Sequence, residues 1–511
     1  MTAVLINPNL VIQENDPFTT GIVYMPIGLA LVAATLKQAN HPLKVIDAFG
    51  QAPKQGRRSG PFLIMGATIE EILKQIPAKA QVVFLYANQL INHTSLVEIL
   101  GAIKTNRPKL PLIVLENTQA VTAYALEPVA EALLEAGADY LLTGEGEVGA
   151  PAITAILMQH GEDENEDAPS SGQATTLAAK LETVPGLIAK DFRTPRGAFI
   201  SDLDQLPFPA WELFPVENYW SLQFAHGPLS SSRYLPLLTS RGCPFPCRFC
   251  VVPFTNERKW RARSPENVMA EMAHFQKSLG VSEFHIEDLN PTVQDRRTRG
   301  IARAIIDQGL TVTWKIVSGT KVESIKNAES IDLMAQSGCR YISISPESGS
   351  PEVLKKMAKP FNLDHAVNMI KRMNQTGIRS QACFVLGFPG ETEKDLEMTR
   401  QRALEMTRGG VDEIALFIIT PVPGSELFDS FEGYGSLSEL NFTPSWREDY
   451  EQLARFRLNL YRRFLFTKLL YHPGKIIRQS WNFFRRSFET KMEMVPFKAL
   501  VWKWVGRSVK D

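Results

Sequence analysis

Twice along this chain, short apolar strands alternate with amphipathic helices, and that alternation leaves few folds open. In the first run the strands fall at 3–7, 44–47, 81–86, 111–115 and 139–143, with helices expected at 26–40, 68–76, 94–105 and 125–136. Apolar runs this short, separated by helices, are strands buried on both faces of a parallel, doubly wound sheet with right-handed crossovers. In the second run the strands fall at 234–239, 282–287, 311–317, 340–345, 378–386 and 412–419. Helices at 265–278, 295–308, 327–336, 351–358, 362–375 and 393–407 separate or follow them. Six such strands suit a partial (β/α) barrel rather than the closed eight-stranded form. Beyond residue 430 the pattern turns helical, with 446–470 and 475–490 as candidates. The expected organisation is α/β: a Rossmann-like sheet over 1–160, a connector over 161–232, a barrel over 233–430 and a helical region over 431–511. Within the connector, 161–178 is acidic and then Pro/Ser/Gly-rich, which reads as a mobile linker without chemistry.

Both architectures bind ligands at the carboxyl ends of their strands. Chemistry is therefore sought there. A formal net charge of zero gives no general pull toward nucleic acid. The N-terminus runs into a strand without a basic leader, and no uncharged apolar run reaches the ~20 residues of a membrane span. Only five cysteines occur, three of them within eight residues, which points to a reducing compartment and makes the cytoplasm the expected location.

Those three form Cys243-Pro-Phe-Pro-Cys247-Arg-Phe-Cys250, directly behind Arg241-Gly242 at the end of an apolar run. Thiolates are the usual ligands of iron–sulfur clusters, and three of them leave one iron of a four-iron cluster open to a further ligand. A zinc site short of its fourth ligand and three incidental core cysteines are the other readings of the same spacing. Cys339 and Cys383 lie among apolar neighbours in expected strands and read as small core residues.

The spacing C-x3-C-x-aromatic-C, with Phe249 as the aromatic, resembles the signature of the radical S-adenosylmethionine (SAM) enzymes. The resemblance implies a [4Fe–4S] cluster on Cys243, Cys247 and Cys250, SAM chelated to the open iron, and a 5′-deoxyadenosyl radical formed on one-electron cleavage. It further implies SAM contacts from Glu287 and Asp288 to the amino group, and from Ser345 and Glu347 to the ribose or amino-acid end. Gly387 and Glu391 would lie beside the adenosine, and the Val422 backbone would touch adenine. The third strand lacks the arginine common near its end and has Thr320 and Lys321 there instead.

The first run resembles the cobalamin (B12)-binding domain that precedes many radical SAM cores, through Pro26-Ile-Gly28, Val45-Ile-Asp47 and Gly137-Ala-Asp-Tyr-Leu-Leu-Thr-Gly144-Glu-Gly146. The implied contacts are Asn9, Asp47, Tyr86, Asn88, Gln89, Glu116, Asn117, Thr118, Gly144, Glu145 and Gly146. Asp47-Ala-Phe-Gly has no histidine where some cobalamin proteins have their cobalt ligand, so cobalamin without a protein histidine is implied; His93 is an alternative ligand or an ordinary first-turn histidine. Glu116-Asn117 stands where a Gly-Gly pair is expected.

Together these imply a cobalamin-dependent radical SAM methyltransferase acting on an unactivated carbon of a small-molecule, lipid or natural-product substrate. Its electron donor would be a flavodoxin or ferredoxin. A non-methylating oxidative cyclase and a non-enzymatic cluster- and corrinoid-binding sensor are the rival readings. From Tyr461 to Asp511 there are twelve Lys+Arg against three Asp+Glu, with aromatics interleaved. Such a tail lies on an anionic membrane surface, or covers the barrel with its apolar side and leaves its charges solvated.

Overall fold

The computed structural model describes residues 2–16, 18–163 and 176–508, leaving side chains 161–163 and 508 aside. Most of the linker expected at 161–178 lies outside the described residues. The first sheet has strands, in spatial order, Leu43–Asp47, Thr2–Asn7, Ala80–Ala87, Leu112–Glu116, Tyr140–Leu142 and Leu187–Ile188. All pairs are parallel except the last. Strand order reverses beside Thr2–Asn7, so the crevice for a ligand lies outside Asn7 and Ala87. A three-stranded antiparallel sheet (Leu10–Gln13, Gly56–Ser59, Phe62–Met65) was not expected from the sequence. Its strands are four residues each, and Gly56, Arg57 and Arg58 leave the strand Gly56–Ser59 without an apolar run.

The second sheet runs in sequence order: Tyr234–Leu237, Glu283–Ile286, Thr313–Thr320, Cys339–Glu347, Arg379–Leu386 and Glu413–Ile418, all parallel. This is the six-stranded partial barrel. Outward residues such as Phe284, Ile286, Trp314, Ile316, Ile342, Ile344 and Phe384 are buried in the apolar core. The alternate positions carry polar side chains that bond to one another across strands. Lys315 donates to Glu283 at 2.9 Å, Tyr341 to Glu413 at 2.5 Å and Ser343 to Gln381 at 2.9 Å. Strand alternation thus separates an apolar shell from a polar lumen.

Three helices close the chain: Tyr450–Tyr471, Pro473–Arg485 and Lys491–Ser508. The third was not read from the sequence, because Pro496 falls inside it. This region is tied to the barrel and to the first domain. Lys475 pairs with Asp412 at 2.9 Å, and the Trp502 indole donates to Gly21 O at 3.0 Å. Lys498 is buried and donates to Thr20 O at 2.6 Å and Phe18 O at 3.2 Å. Burial pulls its ammonium down to about 7, against a smaller upward pull from Asp16.

Unfolded, Lys498 keeps its proton to near its ordinary value of 10.5. Between about pH 7 and 10 the unfolded chain therefore holds a proton the folded chain has lost, and stability rises with pH. Chemical denaturation of wild type and Lys498→Met should differ by a slope approaching ~1.4 kcal/mol per pH unit over that window. Parallel curves would exclude this titration.

Candidate active site

The cysteine loop leaves the first barrel strand through Thr239 and the two-residue strand Ser240–Arg241, which pairs antiparallel with Arg261–Ala262. Gly242 follows at φ +76°, and a Cβ there would lie 2.0 Å from Lys259 O, so only glycine fits. Asp288 braces this base: it accepts from Thr239 N at 2.6 Å, Thr239 Oγ1 at 2.6 Å and Ser240 Oγ at 2.5 Å. Expected at a ligand's amino group, its carboxylate is instead engaged inside the protein.

Arg241 is fully buried between two carboxylates of the first domain, Glu145 at 3.0 Å and Glu147 at 2.5 Å. Burial would lower its pKa, but Glu147 and then Glu145 more than reverse this, so it stays charged. Glu145 also accepts from Arg261 at 2.9 Å and from Ile200 N at 2.7 Å. The first domain and the base of the cysteine loop are thus locked by one buried ion network.

The loop lies over the carboxyl ends of the barrel strands. Arg248 N donates to Met357 O at 3.1 Å, and the Arg248 side chain reaches Glu426 at 2.7 Å. Phe249 packs with Val385, Phe388 and Ile419, while Cys243 and Cys250 pack with Leu289, Val422 and Ala125. Lys321 sits 4.3 Å from the Phe245 ring, and Thr320 donates to Asn290 Oδ1 at 2.8 Å.

All three thiols are free and half-buried. Burial raises each thiol's pKa, that of Cys247 to about 11, and the cation of Lys359 opposes the rise at all three. Cys243 also has the Phe245 N–H and the Asn290 amide (4.0 Å) directed at its sulfur, and Cys250 has the Val252 N–H. A cavity of about 490 Å³ opens beside Cys247 and Cys250, bounded by Pro128, Phe254 and Ser425. Among the described residues no three His, Cys, Asp or Glu side chains gather as for a single metal ion. A polynuclear cluster differs, because it takes its thiolates from separate corners. Three thiols on one short loop, two of them beside a cavity, with N–H donors and a cation around them, fit a cubane.

Lys359 was not foreseen from the sequence, since nothing in a lysine behind a short helix marks it. It is buried, forms a short ion pair with Glu347, and its pKa is raised by Glu347 and Cys247 against the cost of burial. Glu347 itself ends the fourth barrel strand at φ +62°, a strained conformation for this side chain. Ser345 lies on the same strand, its Oγ pressed against Gly319. Glu391 accepts from Gly387 N at 2.6 Å while its other oxygen, buried, has no partner; burial raises it to about 7.

Glu287 turns into the lumen. It accepts from His226 at 2.7 Å, and Lys491 approaches the other His226 nitrogen at 3.3 Å and donates to Val317 O at 3.1 Å. Tyr24 of the first domain stacks on His226 with centroids 4.4 Å apart. Four distant segments meet here, and only Glu287 was singled out from the sequence. Burial lowers the pKa of both His226 and Lys491.

In the first domain, several expected contacts are occupied within the protein. Asp47 accepts from Asn7, Gly50 N and Tyr219 at 2.8–2.9 Å. Asn9 bonds Ala67 O at 2.9 Å and Ser95 at 3.2 Å. Asn88 bridges Asn7 at 2.9 Å and Asn92 at 3.0 Å. Glu116 accepts from Gly144 N and Arg196 at 2.7 Å each and Leu126 N at 3.1 Å, so its bulk is drawn into the loop framework. Asn117 holds Asn88 O at 2.7 Å. His93 bonds the Tyr124 hydroxyl at 3.0 Å, and burial holds it near 4, hence neutral.

Other groups on these loops remain uncommitted. Gln119 Oε1, Thr122 Oγ1 and, facing them, Asn256 Oδ1 are buried without partners. Thr118 O accepts from Asn256 at 3.0 Å, and Ala125 N donates to Pro423 O at 3.0 Å, so the two sets of carboxyl ends face each other in contact. Gln89 is buried beside them, Tyr86 lies under Gly28, and Gly146 opens the helix Gly146–Asp163. The orphaned amide and hydroxyl oxygens suit a large ligand rich in amide donors.

Residues 237–403 match the Radical SAM superfamily. The match spans the cysteine loop and the barrel strands from Glu283–Ile286 to Arg379–Leu386. It is 28% identical over 454 residues (83% of this chain, 80% of the relative) to cytidylyl-2-hydroxyethylphosphonate methyltransferase of Streptomyces wedmorensis. It is 27% identical over 334 residues to anaerobic magnesium-protoporphyrin IX monomethyl ester cyclase of Rubrivivax gelatinosus, covering 62% of this chain and 58% of that one. In fold it resembles the cobalamin-dependent S-adenosylmethionine radical enzyme OxsB solved with aqua-cobalamin and S-adenosylmethionine bound. The TM-score is 0.59 at 16% identity, over 90% of this chain and 56% of OxsB.

Removing Arg241 leaves buried Glu147 without its cation and Glu145 with Arg261 alone. Arg241→Met should destabilise the metal-free chain by about 3–5 kcal/mol in urea unfolding. Arg248→Met, which breaks an exposed pair, should cost under about 1 kcal/mol. Equal losses would mean that the Arg241 network carries no special weight.

Proposed function

We propose that this chain is a cobalamin-dependent radical SAM methyltransferase acting on an unactivated carbon of a small molecule. The observation that carries the reading is the apposition of the three-thiol loop, at the barrel mouth, to the strand ends of the first domain. When bound, the cluster and SAM supply a 5′-deoxyadenosyl radical, and cobalamin supplies a methyl group. A radical can take hydrogen from an aliphatic C–H bond where no side-chain base could remove a proton, so the protein's part is placement and exclusion of water.

In this reading Cys243, Cys247 and Cys250 hold the cluster, and Lys359 balances their negative charge while orienting Glu347. Ser345, Glu347, Glu391 and the Val422 backbone line the SAM side, with Phe249 packed beneath the loop. Gln89, Gln119, Thr122 and Asn256 face the corrinoid, while Asp47, Asn88, Glu116 and Glu145 fix the loops that present them. Glu287, His226 and Lys491 form the wall toward the substrate. The electron comes from a flavodoxin- or ferredoxin-like donor, in a reducing cytoplasm that keeps the thiols free. A ring-forming oxidative reaction is the second reading, favoured by the similarity to the cyclase.

Anaerobic reconstitution with iron, sulfide and cobalamin, then dithionite and SAM, should yield 5′-deoxyadenosine, and Cys→Ala at 243, 247 or 250 should abolish both bound iron and that product. On substrate, the product should gain one CH2. Product formed without this gain would favour the cyclase. Absence of 5′-deoxyadenosine from the iron-loaded wild type would sink both enzymatic readings.

Lys491→Met should retain iron and substrate-independent SAM cleavage, yet lower methylated product at least roughly tenfold, the scale of losing one buried charged hydrogen bond. Lys491→Arg should restore part of it. Full activity in Lys491→Met would remove the lumen wall from the mechanism.

A further inference from the structure

The last helices carry a surface that the proposed chemistry does not use. Seventeen large hydrophobic side chains are exposed among the described residues, and ten of them lie between Leu465 and Trp504. On Pro473–Arg485 they fall at Ile477 (72% exposed), Trp481 (58%) and Phe484 (78%), spaced as one helical face. On the preceding helix, Phe466, Leu469 and Leu470 are more than half exposed, and on the last, Leu500 and Trp504. One reading of the sequence had the tail's apolar side cover the barrel. Leu460, Phe464, Phe488 and Trp502 are buried, but these helices keep a second apolar face outward.

From residue 461 onward the exposed charge on these helices has one sign. Between 461 and 507 the exposed ionisable residues are Arg462, Arg463, Arg485, Arg486, Lys503 and Arg507, with no exposed carboxylate among the described residues. Glu489 is half-buried against Arg379 and Arg478, and Glu493 is buried. Exposed aromatic and aliphatic residues rimmed by cations mark a binding surface. A second copy of the chain would set cation against cation. Apolar side chains entering an acyl layer, with arginines at anionic headgroups, satisfy both features at once. Among the described residues no helix is long and apolar enough to cross a membrane, and the proposed contact is a peripheral one.

We propose that this face, centred on Ile477, Trp481 and Phe484, docks the protein on an anionic phospholipid surface. The test is flotation of the reconstituted full chain with vesicles, a readout independent of turnover. Phosphatidylcholine vesicles containing about one-third phosphatidylglycerol should carry the protein up, and pure phosphatidylcholine should not. Arg485→Gln with Arg486→Gln should weaken binding roughly fivefold per arginine, and high salt should act in the same direction. Trp481→Ser with Phe484→Ser should weaken it at least roughly tenfold while iron content is unchanged. The proposal fails if wild type stays down with both vesicle types, or if the paired serine variant floats as well as wild type. It fails equally if wild type forms a concentration-dependent dimer that the serine variant dissolves, without vesicle binding, because the face is then a self-interface.

Discussion

Arg241 stands two residues ahead of Cys243, and its guanidinium lies buried between Glu145 and Glu147 of the first domain. Taking these charges out of water costs several kcal/mol per ion, which the pairing repays only when geometry and hydrogen bonding are complete. Here completion comes from both sides, since Glu145 also takes Arg261 and Ile200 N. Any slippage between the first domain and the cysteine loop would strand a charge in the interior. A site assembled from two domains therefore keeps a fixed spacing between thiols and first-domain loops, as chemistry shared across that gap requires.

Within the barrel the same logic runs through a polar lumen. Inward positions carry Glu283, His285, Glu287, Lys315, Tyr341 and Glu413, a set that could not be packed as an ordinary barrel core. Each finds partners within the lumen or on segments that enter it. Ser230 and Pro228 O meet Glu283 and Lys315, and Met492 N meets Glu413. The connector and the C-terminal region are thus structural parts of the barrel. His226 and Lys491 reach Glu287 only because these segments fill the lumen.

Strand and helix periodicity made the architecture legible. Both parallel sheets and the long helices follow from where apolar residues recur, because burial is a local pattern summed along each element. Sites are legible only in part. A carboxylate at a strand's carboxyl end looks the same whether it meets a ligand or braces a loop, so Asp47, Glu116 and Asp288 read as ligand contacts although all three are engaged inside the protein. Arg241 and Glu147 are 94 positions apart, and His226 and Lys491 are 265 apart. Nothing in local spacing encodes such pairs, whereas the three cysteines announce themselves because a cluster-binding loop is built within one short stretch.

The final helix joins two of these themes. Lys491 at its start reaches the barrel lumen, while Lys503 and Trp504 near its end are exposed. At 1.5 Å per residue, thirteen residues of helix span roughly 20 Å, even with the proline inside. Buried Lys498 and Trp502 pin the middle of this span to Thr20 and Gly21 of the first domain. The helix is therefore held at three points, and the lumen wall cannot move independently of the outer face. A surface contact made through Trp504 and its neighbours thus bears on the same rigid element that sets Lys491 against His226 and Glu287.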